Sequence, residues 1–280
     1  MHDAGLRAMD RLRTWSAPLS KVARSLAQTQ SYGVASAVQT GALFDPANYP
    51  PLAEWTVYVI GDIHGRSDLL LDLHRKIDRD SLGLPRGRIV EIYLGDYIDR
   101  GPDSRGVLDC LVERGAVRRA VFLRGNHEVM LADFLAGRLS LEVWAAVGGV
   151  ETIESFDLDG RLPSVLESDE PDVELGARIP LTHKAFLASL CSSFDIGPYA
   201  FVHAGIRPGI PFRLQDARDI CWIRNDFLNY APAHEFIVVH GHSPVLNVDF
   251  RPNRINVDTG AYLTDQLSCL KIDGFGVQVL

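Results

Sequence analysis

The chain has 280 residues, 46% of them hydrophobic and 23% charged, the balance of an ordinary soluble globular protein, which excludes disorder throughout. A formal net charge of -8 argues against general attraction to nucleic acid or to an acidic membrane, since both need a positive field. Any anion that binds must therefore be held by a local feature, and the length suits one substantial domain, residues 51–280, behind an N-terminal extension, residues 1–50.

In that extension Arg7, Arg11, Arg13, Lys21 and Arg24 precede a small, polar stretch ending in DPANYPP. Leu6, Met9, Leu12 and Trp15 fall at helical spacing, so the segment is either loosely ordered or a short basic amphipathic helix facing a membrane surface or a partner. No apolar run approaches the roughly 20 residues that span a bilayer, and no signal-peptide h-region is visible. Cys110, Cys191, Cys221 and Cys269 lie far apart without a C-x-x-C pair, the pattern of reduced structural thiols, and a cytoplasmic location is expected. Oligomeric state is not encoded in any pattern of this kind.

From Trp55 onward strands and helices alternate. TVYVI (56–60) reads as a strand, SDLLLDLHRKI (67–77) as a helix, IVEIYL (89–94) as a strand, SRGVLDCLVERG (104–115) as a helix stopped by Gly115, AVFL (120–123) as a strand and HEVMLADFLAG (127–137) as a helix. Such a β-α-β series builds a largely parallel, buried sheet. Residues 138–156 suggest short helices. Residues 157–180 are acid-rich and broken by Pro163, Pro171 and Pro180, so they form a solvated surface insertion or a substrate-facing loop. PLTHKAFLASL (180–190) is a helix begun by its proline. YAFVH (199–203), FIVVH (236–240), RINVD (254–258) and SCLKI (268–272) then imply a second sheet packed near the first.

Three of these strand-like runs end alike, in YVIGDIHG (58–65), IYLGDYIDRG (92–101) and FLRGNHE (122–128). Each apolar run meets a glycine and then an oxygen-bearing side chain: Asp62, Asp96, Asn126. In a parallel sheet all three sit at carboxyl ends, along the edge where α/β ligand crevices form. One Gly-Asp after a strand is an ordinary turn; three, with His64 and His127 at fixed offsets, point to a site. His203 in AFVHAG and His242 in VVHGHSP stand at later strand ends and complete an oxygen-and-imidazole set suited to Mn²⁺, Fe or Zn²⁺ rather than Ca²⁺.

With GDIHG, GDYIDRG and GNHE in this order, followed by separated histidines, residues 55–275 resemble the PPP family of metallophosphoesterases, specifically the bacterial-type serine/threonine phosphoprotein phosphatases; Ile98 replaces the usual valine. The resemblance implies an α/β fold, a four-layer αββα sandwich of two mixed sheets flanked by helices, with two divalent ions per chain, Mn²⁺ first, Fe or Zn²⁺ as alternatives. It implies that Asp62 and His64 hold one ion, that Asp96 bridges both, and that Asn126, His203 and His242 hold the other. His240 competes for the last position; the family's Gly-His pair after the strand selects His242. Two divalent ions, less Asp62, Asp96 and one hydroxide, leave a single positive charge, a local anion site in an acidic protein.

The same resemblance implies direct attack of a metal-bridging hydroxide on a phosphorylated protein or peptide. His127 protonates the leaving alkoxide and Asp99 stabilises its imidazolium. Arg100, with Asn126, binds phosphate, and Arg224 in CWIRNDF is either the second phosphate arginine or a surface ion-pair residue. Asp103 should cap the helix that begins near Ser104, and Glu128 favours a helix N-terminus or supports the metal site. Symmetrical dinucleoside tetraphosphate hydrolases share the metal motifs, but their usual departures at DRG and GNHE are absent here. A non-catalytic phosphopeptide-binding scaffold is the remaining alternative.

Overall fold

The structure is a computed structural model that describes residues 49–157 and 165–280; the extension up to residue 48, with its amphipathic pattern, lies outside them, as do residues 158–164 of the acid-rich stretch. Three strands open the fold, β1 (Thr56–Ile60), β2 (Ile89–Tyr93) and β3 (Ala120–Phe122), each followed by a helix: α1 (Ser67–Asp80), α2 (Ser104–Val117) and α3 (Asn126–Leu135). Four helices continue the chain, α4 (Leu141–Ala145), α5 (Gly149–Ser155), α6 (Pro171–Arg178) and α7 (Leu181–Ala188). Strands β4 (Ser193–Ile196) and β5 (Tyr199–Val202) lead to α8 (Ala217–Trp222) and α9 (Asn225–Leu228). After these come β6 (Ile237–His240), β7 (Asp249–Arg251), β8 (Arg254–Asn256), the four-residue α10 (Ala261–Thr264), β9 (Cys269–Asp273) and β10 (Gly276–Val279).

Two five-stranded mixed sheets result, ordered β10-β9-β1-β2-β3 and β4-β5-β6-β8-β7. Period-two alternation decides the layering. Tyr58 and Ile60 of β1 face the core shared with α1 and α2, whereas Val57 and Val59 face the core between the sheets, against Tyr199, Phe201, Val239 and Ile255. Ala200, Val202 and Val238 point the other way, onto Phe212, Ile220 and Phe227 beneath α8 and α9. Strands buried on both faces read as unbroken apolar runs, as TVYVI does.

Two expectations need correction. SCLKI was expected in the second sheet, but β9 returns to the first and pairs antiparallel with β1, Val57 opposite Ile272. Leu270 and Ile272 thereby enter the inter-sheet core and cover an edge of β1 that would otherwise be open. The acid-rich stretch is not simply a solvated insertion either. Pro171 starts α6, acids fill its first turn, and Leu175 is wholly buried on the α3 side, with Ile179 close behind. All four cysteines are unpaired, Cys221 and Cys269 buried and Cys191 exposed. No helix among the described residues is long and apolar enough to cross a membrane.

Candidate active site

Parallel pairing of β1, β2 and β3 places Asp62, Asp96 and Asn126 at one edge of the first sheet. Parallel pairing of β5, β6 and β8 does the same for His203, His242 and Asp258 in the second. The two edges are stitched together. His203 Nδ1 lies 2.9 Å from the Leu94 carbonyl, and Asp62 accepts from the His242 backbone N–H at 2.9 Å. Ile63 and His64 N–H groups both donate to the Asp96 carbonyl, at 3.0 and 2.8 Å.

These turns are tight. Six non-glycine residues among those described have positive φ, and His64, Asp96, Asp99, Arg100 and His242 are five of them. Each such residue costs about 1–3 kcal/mol and persists only where its surroundings over-determine it, so the strain is concentrated at this edge. Glycine is required at 125 and 241 because a Cβ there would collide with the Asp96 and Asp62 carboxylates.

Asp96 is the centre of the set. Its Oδ2 lies 3.5 Å from His64 Nε2, 3.4 Å from His203 Nε2 and 3.9 Å from His127 Nε2. Two triads of donor atoms share it, His64–Asp96–His127 and Asp96–His203–His242. His64 and His203 each direct Nδ1 at a carbonyl, Ile98 and Leu94, which fixes the tautomer and leaves Nε2 toward the centre. Asn126 Oδ1 sits 3.0 Å from His203 Nε2, and His242 Nδ1 sits 3.2 Å from the same atom. Asp62 joins neither triad; its Oδ1 and His242 Nε2 are buried without a hydrogen-bond partner. Uncompensated buried donors of this type fit a cation, and carboxylate, amide and imidazole together suit divalent transition ions.

Electrostatics agree. Burial, and then Asp258, push the Asp62 carboxyl well above its ordinary range. Burial would raise Asp96 too, but the His203 and His127 imidazoles outweigh it and hold it well below. Burial would lower His203, yet Asp96 and Asp62 raise it to about 10. A proton is thus drawn to the place where the carboxylates want a cation. His64 and His242 are pushed well below the usual histidine value, first by burial, so both imidazoles stay neutral and can offer a lone pair to a metal, His64 once Arg100 Nη1 is released from its Nε2.

Asp99 is fully buried and accepts from His127 Nδ1 at 2.7 Å, Trp144 Nε1 at 2.9 Å and Thr152 Oγ1 at 2.5 Å. Arg100 directs Nη1 to His64 Nε2 at 3.1 Å and rests its guanidinium 4.9 Å from the Tyr262 ring centroid. Arg224 opens α9 from an exposed position, with Nη1 3.5 Å from Ser243 Oγ and no acid partner among the described residues. Glu128 does both things expected of it. Its carboxylate accepts from the Gly125 N–H at 2.9 Å, at the start of α3, and from the N–H groups of Asp96 and Tyr97 at 3.0 and 2.8 Å, clamping one motif to another. His240 is turned away: Nδ1 lies 3.0 Å from the Gly241 carbonyl, Nε2 3.4 Å from Arg254, and its ring packs on Phe227. Asp103 caps α2, accepting from Gly106 N–H at 2.9 Å.

Sequence reasoning missed four contributors. Trp144 and Thr152 reach Asp99 from helices 45 and 53 residues away, and no local pattern announces that. Tyr262 is more remote still, 162 residues from Arg100. Asp258 did carry a signal, because RINVDTG repeats the motif of strand, acid and glycine. It is fully buried, accepts from Gly260 N–H at 2.8 Å, and is raised to about 6, chiefly by burial. A third acid offsets the single positive charge counted above.

A mixed-sheet sandwich with a two-edge cluster of buried carboxylates and imidazoles defines a metallophosphoesterase. The family pattern for calcineurin-like phosphoesterases matches residues 56–273, and the chain belongs to that family. It is 28% identical to the asymmetrical bis(5'-nucleosyl)-tetraphosphatase PrpE of Anoxybacillus flavithermus over 234 residues, 76% of this chain and 89% of that protein. It is also 28% identical to serine/threonine-protein phosphatase 1 of Salmonella typhimurium over 235 residues, 77% of this chain and 91% of that one. A cold-active protein tyrosine phosphatase has a similar fold, with a TM-score of 0.54 at 17% identity over 85% of this chain and 81% of its own.

Proposed function

We propose that this chain, as one metallophosphoesterase domain over residues 51–280, hydrolyses phosphoserine and phosphothreonine in proteins or peptides. The observation that carries the reading is the Asp99–His127 contact of 2.7 Å, buried beside Asp96. The alkoxide of serine or threonine is a poor leaving group and needs a proton as the phosphorus–oxygen bond breaks; a nucleotide phosphate leaves without that help. A buried carboxylate accepting from Nδ1 orients the imidazole with Nε2 facing the cluster, and the doubly protonated ring gives its Nε2 proton to the leaving oxygen.

Asp62, His64, Asp96, Asn126, His203 and His242 would hold two divalent ions, Mn²⁺ first. Such ions activate water and offset charge on the phosphoryl group. Arg100 and Arg224 orient the phosphoryl oxygens as guanidinium donors, and Asp99 keeps His127 aligned while its proton moves.

A second reading is supported by the likeness to a tetraphosphatase over three quarters of the chain. The relevant cleavage is then asymmetrical rather than symmetrical. Turnover of a phosphoserine peptide and of diadenosine tetraphosphate, measured side by side with Mn²⁺, tests the choice. The proposal expects the peptide to have the larger kcat/KM; preference for the dinucleotide would overturn it.

A further inference from the structure

Arg100 is parked rather than free. Its guanidinium lies over the Tyr262 ring at 4.9 Å, donates to Tyr262 Oη at 3.3 Å and to His64 Nε2 at 3.1 Å, and directs Nε toward the Val147 carbonyl at 3.5 Å. The Tyr262 ring also stands edge-on to His64, with centroids 5.2 Å apart. Tyr262 belongs to α10, a single turn between two left-handed residues, Gly260 (φ 66°) and Asp265 (φ 58°). Four residues cannot hold themselves as a helix.

What holds this turn is Arg66, which follows His64 by two positions. Its Nη1 donates to the Ala261 carbonyl at 3.0 Å and to Asp265 Oδ1 at 2.5 Å, bracketing Tyr262 from behind. Arg66 is itself fixed by Asp68, with Nε and Nη2 at 2.8 and 2.7 Å from the two carboxylate oxygens. Thr264 Oγ1 closes the turn on the Thr259 carbonyl at 2.8 Å. The loop after β1 thus reaches across to a segment almost 200 residues away and fixes the ring on which Arg100 lies.

We propose that Tyr262, clasped by Arg66, is the positioning residue for Arg100 and sets the affinity of the site for a phosphoryl dianion. This deepens the reading of Arg100 as a phosphate donor and rests on it. A guanidinium held over a ring surrenders less freedom when an anion arrives, and its remaining N–H groups stay directed at the cluster. Neither Tyr262 nor Arg66 is needed to move a proton, so the effect is read on phosphate binding.

The test is calorimetric binding of inorganic phosphate to the Mn²⁺-loaded full chain. Tyr262→Leu should weaken phosphate about 3- to 30-fold, the range of a cation–π contact from exposed to desolvated, while Tyr262→Phe stays within about twofold. In an Arg100→Ala background Tyr262→Leu should change nothing, because the partner it positions is gone. Arg66→Met, which keeps the apolar stem, should reproduce the loss with Arg100 present and lose it with Arg100 absent, and it carries the test if Tyr262→Leu fails to fold. Equal weakening in both backgrounds, or none in either, would overturn the proposal. Phosphate binding is read without turnover, so a failure here is distinct from failure of the hydrolase reading.

Discussion

At the carboxyl ends of β1 and β2, Asp62, His64 and Asp96 are buried, His64 and Asp96 with left-handed backbone and Asp62 Oδ1 without a hydrogen-bond partner. Toward the amino ends of the same sheet, charge is buried just as deeply but every group is matched. Glu91, fully inaccessible on the helical face of β2, accepts from Arg114 Nε and Nη2 at 2.8 and 2.7 Å and from Tyr93 Oη at 2.8 Å. Arg114 donates its other N–H groups to Asp78, which Arg118 also meets, and Tyr93 Oη reaches His74. One sheet therefore carries a self-contained ion network at one end and an uncompensated donor set at the other. Buried charge as such says little about function; what marks the site is charge whose partner is missing from the chain.

The widest separation between the two ends should come from Asp96→Asn. Turnover of p-nitrophenyl phosphate should fall by more than the roughly 10²–10³-fold that losing one stabilising donor costs, with the circular-dichroism melt retained. Unchanged turnover would remove Asp96 from the centre. His127→Ala comes next: a phosphoserine peptide should lose about 10²–10⁴-fold, p-nitrophenyl phosphate about tenfold or less, since an activated phenol needs little protonation. Equal losses would speak against an acid at His127.

At the opposite end the effect moves from rate to stability. Glu91→Gln leaves Arg114 partly unpaired and should cost about 3 kcal/mol, the low end for a broken buried pair because Asp78 still accepts from it. Urea melts would show this, and kcat/KM should stay within about twofold. A large rate loss would mean that the two ends are coupled.

The smallest effect is a pH dependence. Burial pushes half-exposed Asp78 up, but hydrogen bonds from Arg114 and Arg118 win and hold it at about 2. A folded value below the unfolded one, about 4, means that the stabilisation is present above pH 4 and is lost as pH falls toward 2. Asp78→Asn should flatten that acid limb of the melting curve. An identical limb in both proteins would show that the network contributes nothing there.

The two ends also differ in how legible they were. GDIHG, GDYIDRG and GNHE sit within a few residues of their strands, so the order of strand, glycine and ligand is readable along the chain, and parallel pairing then brings the motifs together. Trp144, Thr152 and Tyr262 reach the site only through tertiary packing, and their own neighbourhoods look like ordinary helix and turn. Glu91 was read as one more residue of a strand; nothing in IVEIYL says that an acid can be wholly buried there. Arg114 supplies the reason, from 23 residues away. Helix α6 was hidden by its acids and prolines, although Leu175 and Ile179 at a spacing of four already trace its buried side.

Titration of metal-free protein with Mn²⁺ by calorimetry, wild type against Asp96→Asn, is the most direct measurement. Two ions should bind per wild-type chain, and the asparagine variant should lose one of them or hold both far more weakly, because Asp96 is the carboxylate proposed to serve both ions, with His64 on one side of it and His203 on the other. No Mn²⁺ binding by the wild type, or the same stoichiometry and affinity in the two proteins, would contradict the account.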